Sequence, residues 1–292
     1  MMVPQMMNRK KEYFLKDQLT ENWLKYCTIL FITVMSLLLL CLYVGMVVYS
    51  LGEVKGGKIT GFTFDNWDFL FSPNLVVGNN VYPGIWKIFS NTMIIAIGSM
   101  VLEVGISVLS GYALAKGSFP GKQFLIQSTL FSRIIPSITT LIASFYILKT
   151  VGLLDTMIGI ILIKGFAEVG MSTWIMKGFF DEIPKHLDYA SEIDGASMLK
   201  KFFKIYVPIV WPGIAAISLF AFLNGWGEYV IVSVFTFDEA KVTLPIILNT
   251  LLEQQSTGTV NYGMIMALAT FYMLPAIALY LFSQKYISKM KV

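Results

Sequence analysis

Six polar residues stand in or beside long apolar stretches: Glu103, Arg133, Lys164, Glu168, Asn224 and Glu228. Such groups are costly in hydrocarbon and most often serve solute or ion passage or a buried pair. Lys164 and Glu168 are four residues apart, so they are expected to pair on one helix face. Asn224 and Glu228 share that spacing and are candidates to line a path. Enzymatic chemistry is not spelled out. His186 is the sole histidine, and no Ser/His/Asp set accompanies it. One His and two Cys make a zinc site unexpected. A phosphate loop needs four residues between its glycines and Ser or Thr after its Lys. The nearest approach, Gly117-Ser-Phe-Pro-Gly121-Lys122-Gln123, fails on both counts and reads as a Pro-Gly turn. The chain is therefore expected to be no enzyme, to hold no cofactor and to bind no nucleic acid.

These residues must be positioned by helices in a bilayer. Of 292 residues, 56% are hydrophobic and 14% charged, with mean hydropathy +0.68. A soluble domain is about one quarter charged. Six apolar segments occur, at about 24–51, 86–115, 123–148, 156–177, 206–235 and 262–284. They are too long for barrel strands, so helices are the expected spanning form. The fold class expected is all-α, a polytopic membrane protein with six transmembrane helices. An arm, 1–23, precedes one transmembrane domain, 24–292. The first segment is longer than the 7–15 residues of a signal core and is read as a retained anchor. Cys27 and Cys41 lie in it, about 21 Å apart along a helix, too far to pair.

Charge fixes the expected orientation. Fifteen Lys and Arg fall in the arm, after segment 2, after segment 4 and in the tail. Five (Lys55, Lys58, Lys87, Lys149 and Lys241) fall on the opposite side, and Arg133 and Lys164 lie within segments. Basic residues concentrate in cytoplasmic loops. Both termini and the loop 178–205 are thus expected to be cytoplasmic. The outer stretch 52–84 is rich in Gly and aromatics and is expected to form an amphipathic lid. The outer stretch 237–261 is polar and long enough to have a task of its own. Pro136 and Pro275 lie deep in segments 3 and 6 and are expected to kink them, whereas Pro208 and Pro212 suit the first turns of segment 5.

Residues 177–212 are too polar to span. Leu187, Ala190 and Ser191 make one narrow face at helical spacing. Asp194-Gly195 breaks that helix, Gly supplying the turn and Asp a cap for the next helix. Met198, Leu199, Phe202 and Phe203 make a second apolar stripe, flanked by Lys200, Lys201 and Lys204. An interfacial amphipathic loop and a docking element for a soluble partner both fit this pattern.

The same residues carry a resemblance to the cytoplasmic loop of ABC-importer permeases, whose pattern is Glu-Ala-Ala, then Asp-Gly-Ala, then Leu-Pro. Asp194-Gly195-Ala196, Ile205, Pro208 and Pro212 match it, as does Ala190. Tyr189 stands where Glu is usual, Ser191 replaces the second Ala, and Asp188 lies one place earlier. Across about 60–288 the chain resembles the second, maltose-transporter-type membrane subunit. Asn91-Thr92, Tyr112-Ala-Leu-Ala115, Gly152-Leu-Leu-Asp155-Thr156, Trp226-Gly-Glu-Tyr229 and Thr243-Leu-Pro245 stand in the family's order.

The resemblance implies the type I permease fold and an ATP-driven, binding-protein-dependent importer of a sugar or oligosaccharide. It implies as partners a second related permease subunit, two ATP-binding subunits and an extracellular or periplasmic substrate-binding protein. It points to Asp188, Tyr189, Ala190, Ser191, Asp194, Gly195 and Ala196 for coupling to the ATPase, Ala190 and Ser191 allowing close approach. Asn224 and Glu228 are the pathway candidates, and Leu244, Gln254 and Gln255 those for the binding protein. The alternative is an ion-coupled secondary transporter or channel using Glu103 or Glu228, which would have no reason to carry the Asp-Gly-Ala loop.

Overall fold

The computed structural model describes residues 3–55, 58–78, 80–131, 137–253 and 261–287. Contacts divide them into two units. One holds the residues up to Asn66 together with Tyr262–Ala267. The other holds Trp67–Asn261 and the residues from Leu268 onward.

In the first unit, α1 (Val3–Ser50) is one helix of 48 residues. Its apolar part, Trp23–Ser50, is exposed along nearly its whole length. Cys27 and Cys41 are both free and exposed. Strands β1 (Gly52–Lys55) and β2 (Lys58–Phe62) form an antiparallel hairpin with a bulge at Glu53/Val54. The Asn66 carboxamide donates to Ser50 O at 3.1 Å and Gly52 O at 2.8 Å, closing the hairpin onto the end of α1.

The second unit opens with a second antiparallel hairpin, β3 (Asn74–Val77) and β4 (Asn80–Pro83), turned through Gly78 at φ +61°. The stretch 52–84 thus holds two hairpins with a 3-10 turn, Asp65–Leu70, between them in sequence. Its alternation puts Leu75, Val77 and Tyr82 inside and Val76 and Val81 outside, the period of two that a strand imposes.

Helix α2 (Ile85–Lys116) is the unit's axis. The expected third segment is described as α3 (Lys122–Phe131) and α4 (Ser137–Val151). Arg133 and Pro136 lie between them, outside the described residues. The fourth segment is α5 (Met157–Ala167) and α6 (Val169–Asp181), bent by 47° at Glu168. α2 packs closely on both. A Cβ on Gly111 would lie 2.7 Å from Met176 Cβ and 3.0 Å from Lys177 N, so only Gly permits that crossing.

The fifth segment departs from the expected continuous span over 206–235. Short helices α7 (Lys185–Ile193) and α8 (Met198–Lys201) lead through a π turn, Phe202–Tyr206, into α9 (Val207–Ile209). Helix α10 (Trp211–Trp226) then leaves at 74°. Pro208 and Pro212 sit in first turns, where a missing N–H costs nothing. Helix α11 (Val230–Phe235) follows a break at 227–229, and α12 (Leu244–Glu253) occupies the start of the outer stretch. Helix α13 (Tyr262–Ile287) continues through Pro275, as membrane helices can.

Among the described residues three single helices are long and apolar enough to span, and five spans result if each bent pair is one. Helices α3 and α4 lie within the third apolar stretch, on either side of residues outside the described ones.

Candidate functional site

The loop after α6 is built from local signals. Pro184 precedes α7, and Asp194 closes it as the C-terminal cap. Gly195, at φ +64°, reverses the chain. Its N–H reaches Glu192 O and that of Ala196 reaches Ser191 O, both at 3.0 Å, tying off the last turn. Ser197, not Asp194, caps α8, its hydroxyl accepting the Lys200 N–H at 3.4 Å.

One carboxylate holds this loop. Asp188 Oδ1 accepts the Tyr206 hydroxyl, and Asp188 Oδ2 pairs with Lys116 Nζ, the last residue of α2, at 3.2 Å. Lys116 Nζ also donates to Ile183 O at 3.2 Å and lies over the Tyr206 ring at 5.6 Å. Lys201 meets Glu192 at 3.0 Å across the Gly195 turn. Beneath, the Tyr112 ring lies 5.0 Å from Phe202 and 5.3 Å from Tyr206 between ring centroids. Tyr112, Lys116, Asp188, Glu192, Lys201 and Tyr206 line a cavity of about 280 Å³. Burial pushes the Asp188 carboxyl up. The hydrogen bonds from Tyr206 and Lys116 and the lysine charges outweigh that and hold it below its ordinary range.

Beside exposed charged residues such as Lys185, Lys200 and Lys204, the loop also exposes large apolar ones. Tyr189 (63% exposed), Ile193 (86%), Met198, Leu199 (71%) and Phe203 all stand out from the loop. Ala190, Asp194 and Gly195 are exposed and Ala196 is half-buried. Ser191 corrects the expectation of a small outward face. It is buried, and its hydroxyl donates to Asp188 O at 2.7 Å, so it faces the chain itself. Phe202 likewise turns into the core, leaving Met198, Leu199 and Phe203 outside.

Midway along the helices, Lys164 makes an ion pair with Glu228 at 2.5 Å, a partner 64 residues on that helical spacing does not offer. Glu228 Oε1 also accepts the Ile231 N–H at 2.8 Å, opening α11 after the break. Glu103 is buried and accepts the Ser172 hydroxyl at 2.5 Å. Both carboxylates that an ion-coupled mechanism would use are therefore engaged by the protein. Of the two pathway candidates, Asn224 is exposed and Glu228 is buried, and α10 ends between them.

At the opposite end of α2 a second loop is held. Asn91 Nδ2 donates to Ala240 O at 2.8 Å and Val242 O at 3.0 Å. The Leu244 N–H reaches Thr92 Oγ1 at 2.9 Å. Asp155, at φ +56°, accepts the Phe237 N–H at 3.1 Å and pairs with Lys241 at 3.1 Å. Asn249 bridges Tyr229 Oη and Glu253 Oε1 at 2.9 and 2.6 Å. Leu244, expected to meet a partner, is fully buried as the first residue of α12. Gln254 and Gln255 lie outside the described residues. No group of three or more metal-ligating side chains occurs among the described residues.

The site expectations missed Lys116 and Tyr206, because nothing in sequence ties Lys116 to a residue 72 positions later. Asn91 and Thr92 were legible as a motif, but their role as anchors for 240–244 was not.

Comparison with known proteins fits this architecture. Residues 103–291 match the family described as binding-protein-dependent transport system inner membrane component. The maltodextrin transport system permease protein MdxG of Bacillus subtilis is 29% identical over 89% of this chain and 92% of its own length. MalD, a permease protein of the same description from Streptococcus pneumoniae, is 28% identical over 93% of each. In fold, the chain is similar to a bacterial ABC transporter involved in the import of the acidic polysaccharide alginate. The TM-score is 0.72 at 19% identity, over 90% of this chain and 96% of that one.

Proposed function

The chain belongs to the family of inner membrane components of binding-protein-dependent transport systems, and from that premise we propose that it is the permease subunit of a carbohydrate importer, coupled to its ATPase through the 183–205 loop. It is a multi-pass membrane permease and not itself an enzyme. The observation that carries the coupling assignment is the exposed apolar face of Tyr189, Ile193, Met198, Leu199 and Phe203 on a loop tethered from behind through Asp188. An apolar face on a charged, water-facing loop is stable only when covered. A second permease subunit, two ATP-binding subunits on the same side as this loop and a substrate-binding protein opposite complete the assembly. The sugar reading is supported by the relatives named for maltodextrin.

The mechanism is built from these parts. Closure of the ATP-binding subunits displaces the docked loop, and the bends at Glu168 and Val210 are where the helices behind it can change angle. Both termini and the 183–205 loop lie in the cytoplasm on this reading, by the distribution of Lys and Arg.

Ile193→Asp combined with Leu199→Asp tests the docking face. The expected outcome is loss of co-purification with the ATP-binding subunits, with the permease still in the membrane. Retained co-purification and uptake would remove the assignment. In a background lacking Cys27 and Cys41, Thr60→Cys and Met290→Cys should label from opposite sides. Labelling of both from one side would overturn the orientation. Uptake of labelled maltodextrins against a panel of other solutes tests the substrate class.

A further inference from the structure

The anchors of the two loops sit on one helix, and their placement carries a consequence for transport. Helix α2 is unbroken for 32 residues. About 37 Å of it separate Asn91 from Lys116 at 1.5 Å per residue. At one end Lys116 grips the coupling loop at Asp188 Oδ2 and Ile183 O. Tyr206 shares that carboxylate from the start of the ramp into α10. At the other end Asn91 holds two backbone carbonyls, Ala240 O and Val242 O, and Thr92 holds the Leu244 N–H. Between the ends the helix is wedged. Gly111 admits α6, and Gly225 of α10 lies so near Ser99 and Ala96 that a Cβ there would sit 2.5 Å from Ser99 Oγ. The helices packed against α2 are interrupted, α5–α6 at Glu168 and α9–α10 at Val210, and α10 ends in a further break at 227–229.

We propose that α2 is a strut pinned at both ends, with Asp188, Lys116, Asn91 and Thr92 as positioning residues. They transmit displacement of the coupling loop to the 240–244 segment on the far side. The acidic group of the loop then acts inward, on α2. The outward position next to it is left to Tyr189, which offers the ATP-binding subunit a ring instead of a charge. The chemistry suits the task. A carboxylate shared by an ammonium and a phenol is held from two elements at once. A carboxamide on two carbonyls fixes a backbone rather than a side chain. Coupling between distant sites requires such a rigid element whose position both ends bias.

This inference rests on the coupling reading, and its test separates the two. The assay is ATP hydrolysis by the reconstituted complex with and without sugar-loaded binding protein. Lys116→Met and Asn91→Leu should each co-purify with the ATP-binding subunits and keep basal hydrolysis. Each should lose on the order of 5-fold of the stimulation, the lower end of ordinary allosteric coupling. Thr92→Val serves where Asn91→Leu fails to assemble. The Lys116→Asp, Asp188→Lys exchange should recover part of the stimulation, which a merely structural loss would not allow. The decisive result is the double variant. One strut requires Lys116→Met with Asn91→Leu (or Thr92→Val) to be no worse than the poorer single variant. Multiplying losses would mean two independent local roles and overturn the strut. Full stimulation in the single variants would do the same. Were the coupling reading itself at fault, Ile193→Asp with Leu199→Asp would also leave stimulation intact.

Discussion

At the Lys116 end of α2 a loop is held by its side chains and leaves its apolar residues outside. At the Asn91 end a loop is held largely by its backbone and buries Leu244, Ile247 and Leu251 while Phe237 stays exposed. The first has Asp188 gripped from two elements, with Tyr189, Ile193, Met198 and Leu199 exposed. The second has Ala240 O, Val242 O and the Leu244 N–H bound by Asn91 and Thr92, with Leu244, Ile247 and Leu251 buried. The second loop keeps its shape through internal packing. A loop that spends one carboxylate on positioning and exposes the rest is shaped for a partner. The difference sets exposed side chains at the Lys116 end against buried hydrogen bonds at the Asn91 end.

The largest effect should come from removing those buried bonds. Asn91→Leu preserves volume and leaves Val242 O without its donor in a buried setting. An unsatisfied buried acceptor costs about 1–3 kcal/mol. Thermal unfolding in detergent should show the loss, and hydrogen exchange should quicken across 240–244. An unchanged melting temperature would mean that the burial of α12, not Asn91, holds this loop.

A smaller effect is expected at the Gly195 turn. Its φ of +64° lies in the left-handed region, and nothing lies within 4 Å of where a Cβ would be. Substitution is therefore opposed by the backbone alone, at roughly 1–2 kcal/mol for a residue forced into that region. Gly195→Leu should leave the protein inserted but misdirect α8, so that hydrolysis no longer drives uptake. Gly195→Asn, which tolerates this conformation, should remain near wild type. If the two variants behave alike, the angle between α7 and α8 does not set coupling.

This contrast also shows what sequence can convey. Hydropathy located the apolar stretches, because a helix that meets lipid must be apolar along its whole length. It did not locate the bends at Glu168 and Val210 or the break at 227–229, which tertiary packing decides within apolar runs. In the coupling loop the turn was legible from Gly195, since few residues adopt that φ. The facing of Ser191 and Phe202 was not, because small and apolar residues suit either side of an amphipathic helix. The Lys164–Glu228 and Lys116–Asp188 pairs were invisible, since opposite charges far apart in sequence offer no periodic signal. Leu244 was misplaced for a related reason. A polar stretch reads as a surface loop, whereas a ten-residue helix with a buried stripe begins within it at Leu244.

The smallest effect concerns the ion pair that finishes the Asn91 end. Asp155 and Lys241 are each about one third exposed (32% and 30%), so solvent screens their attraction and the pair is worth roughly 0–1 kcal/mol. Burial raises the Asp155 carboxyl, but the Phe237 N–H and Lys241 outweigh it and hold the group below its ordinary range. Lys241 is raised by Asp155 and Asp238 against its own desolvation. Linkage gives the signs. The Asp155 contribution is complete above the ordinary carboxylate pKa of about 3.9 and is lost as pH falls through the depressed value. The Lys241 contribution is complete below about 10.4 and is lost as pH rises through the raised one. Stability from this pair should therefore be flat across neutral pH and fall only at the extremes. Asp155→Asn isolates the charge, because Asn tolerates φ +56° and keeps an acceptor for the Phe237 N–H. At neutral pH the variant should melt slightly below wild type, and the gap should close as acid protonates Asp155 in the native chain. A gap that persists in acid would mean that shape rather than charge holds 236–241, and the two ends of α2 would then differ even more sharply in what secures them.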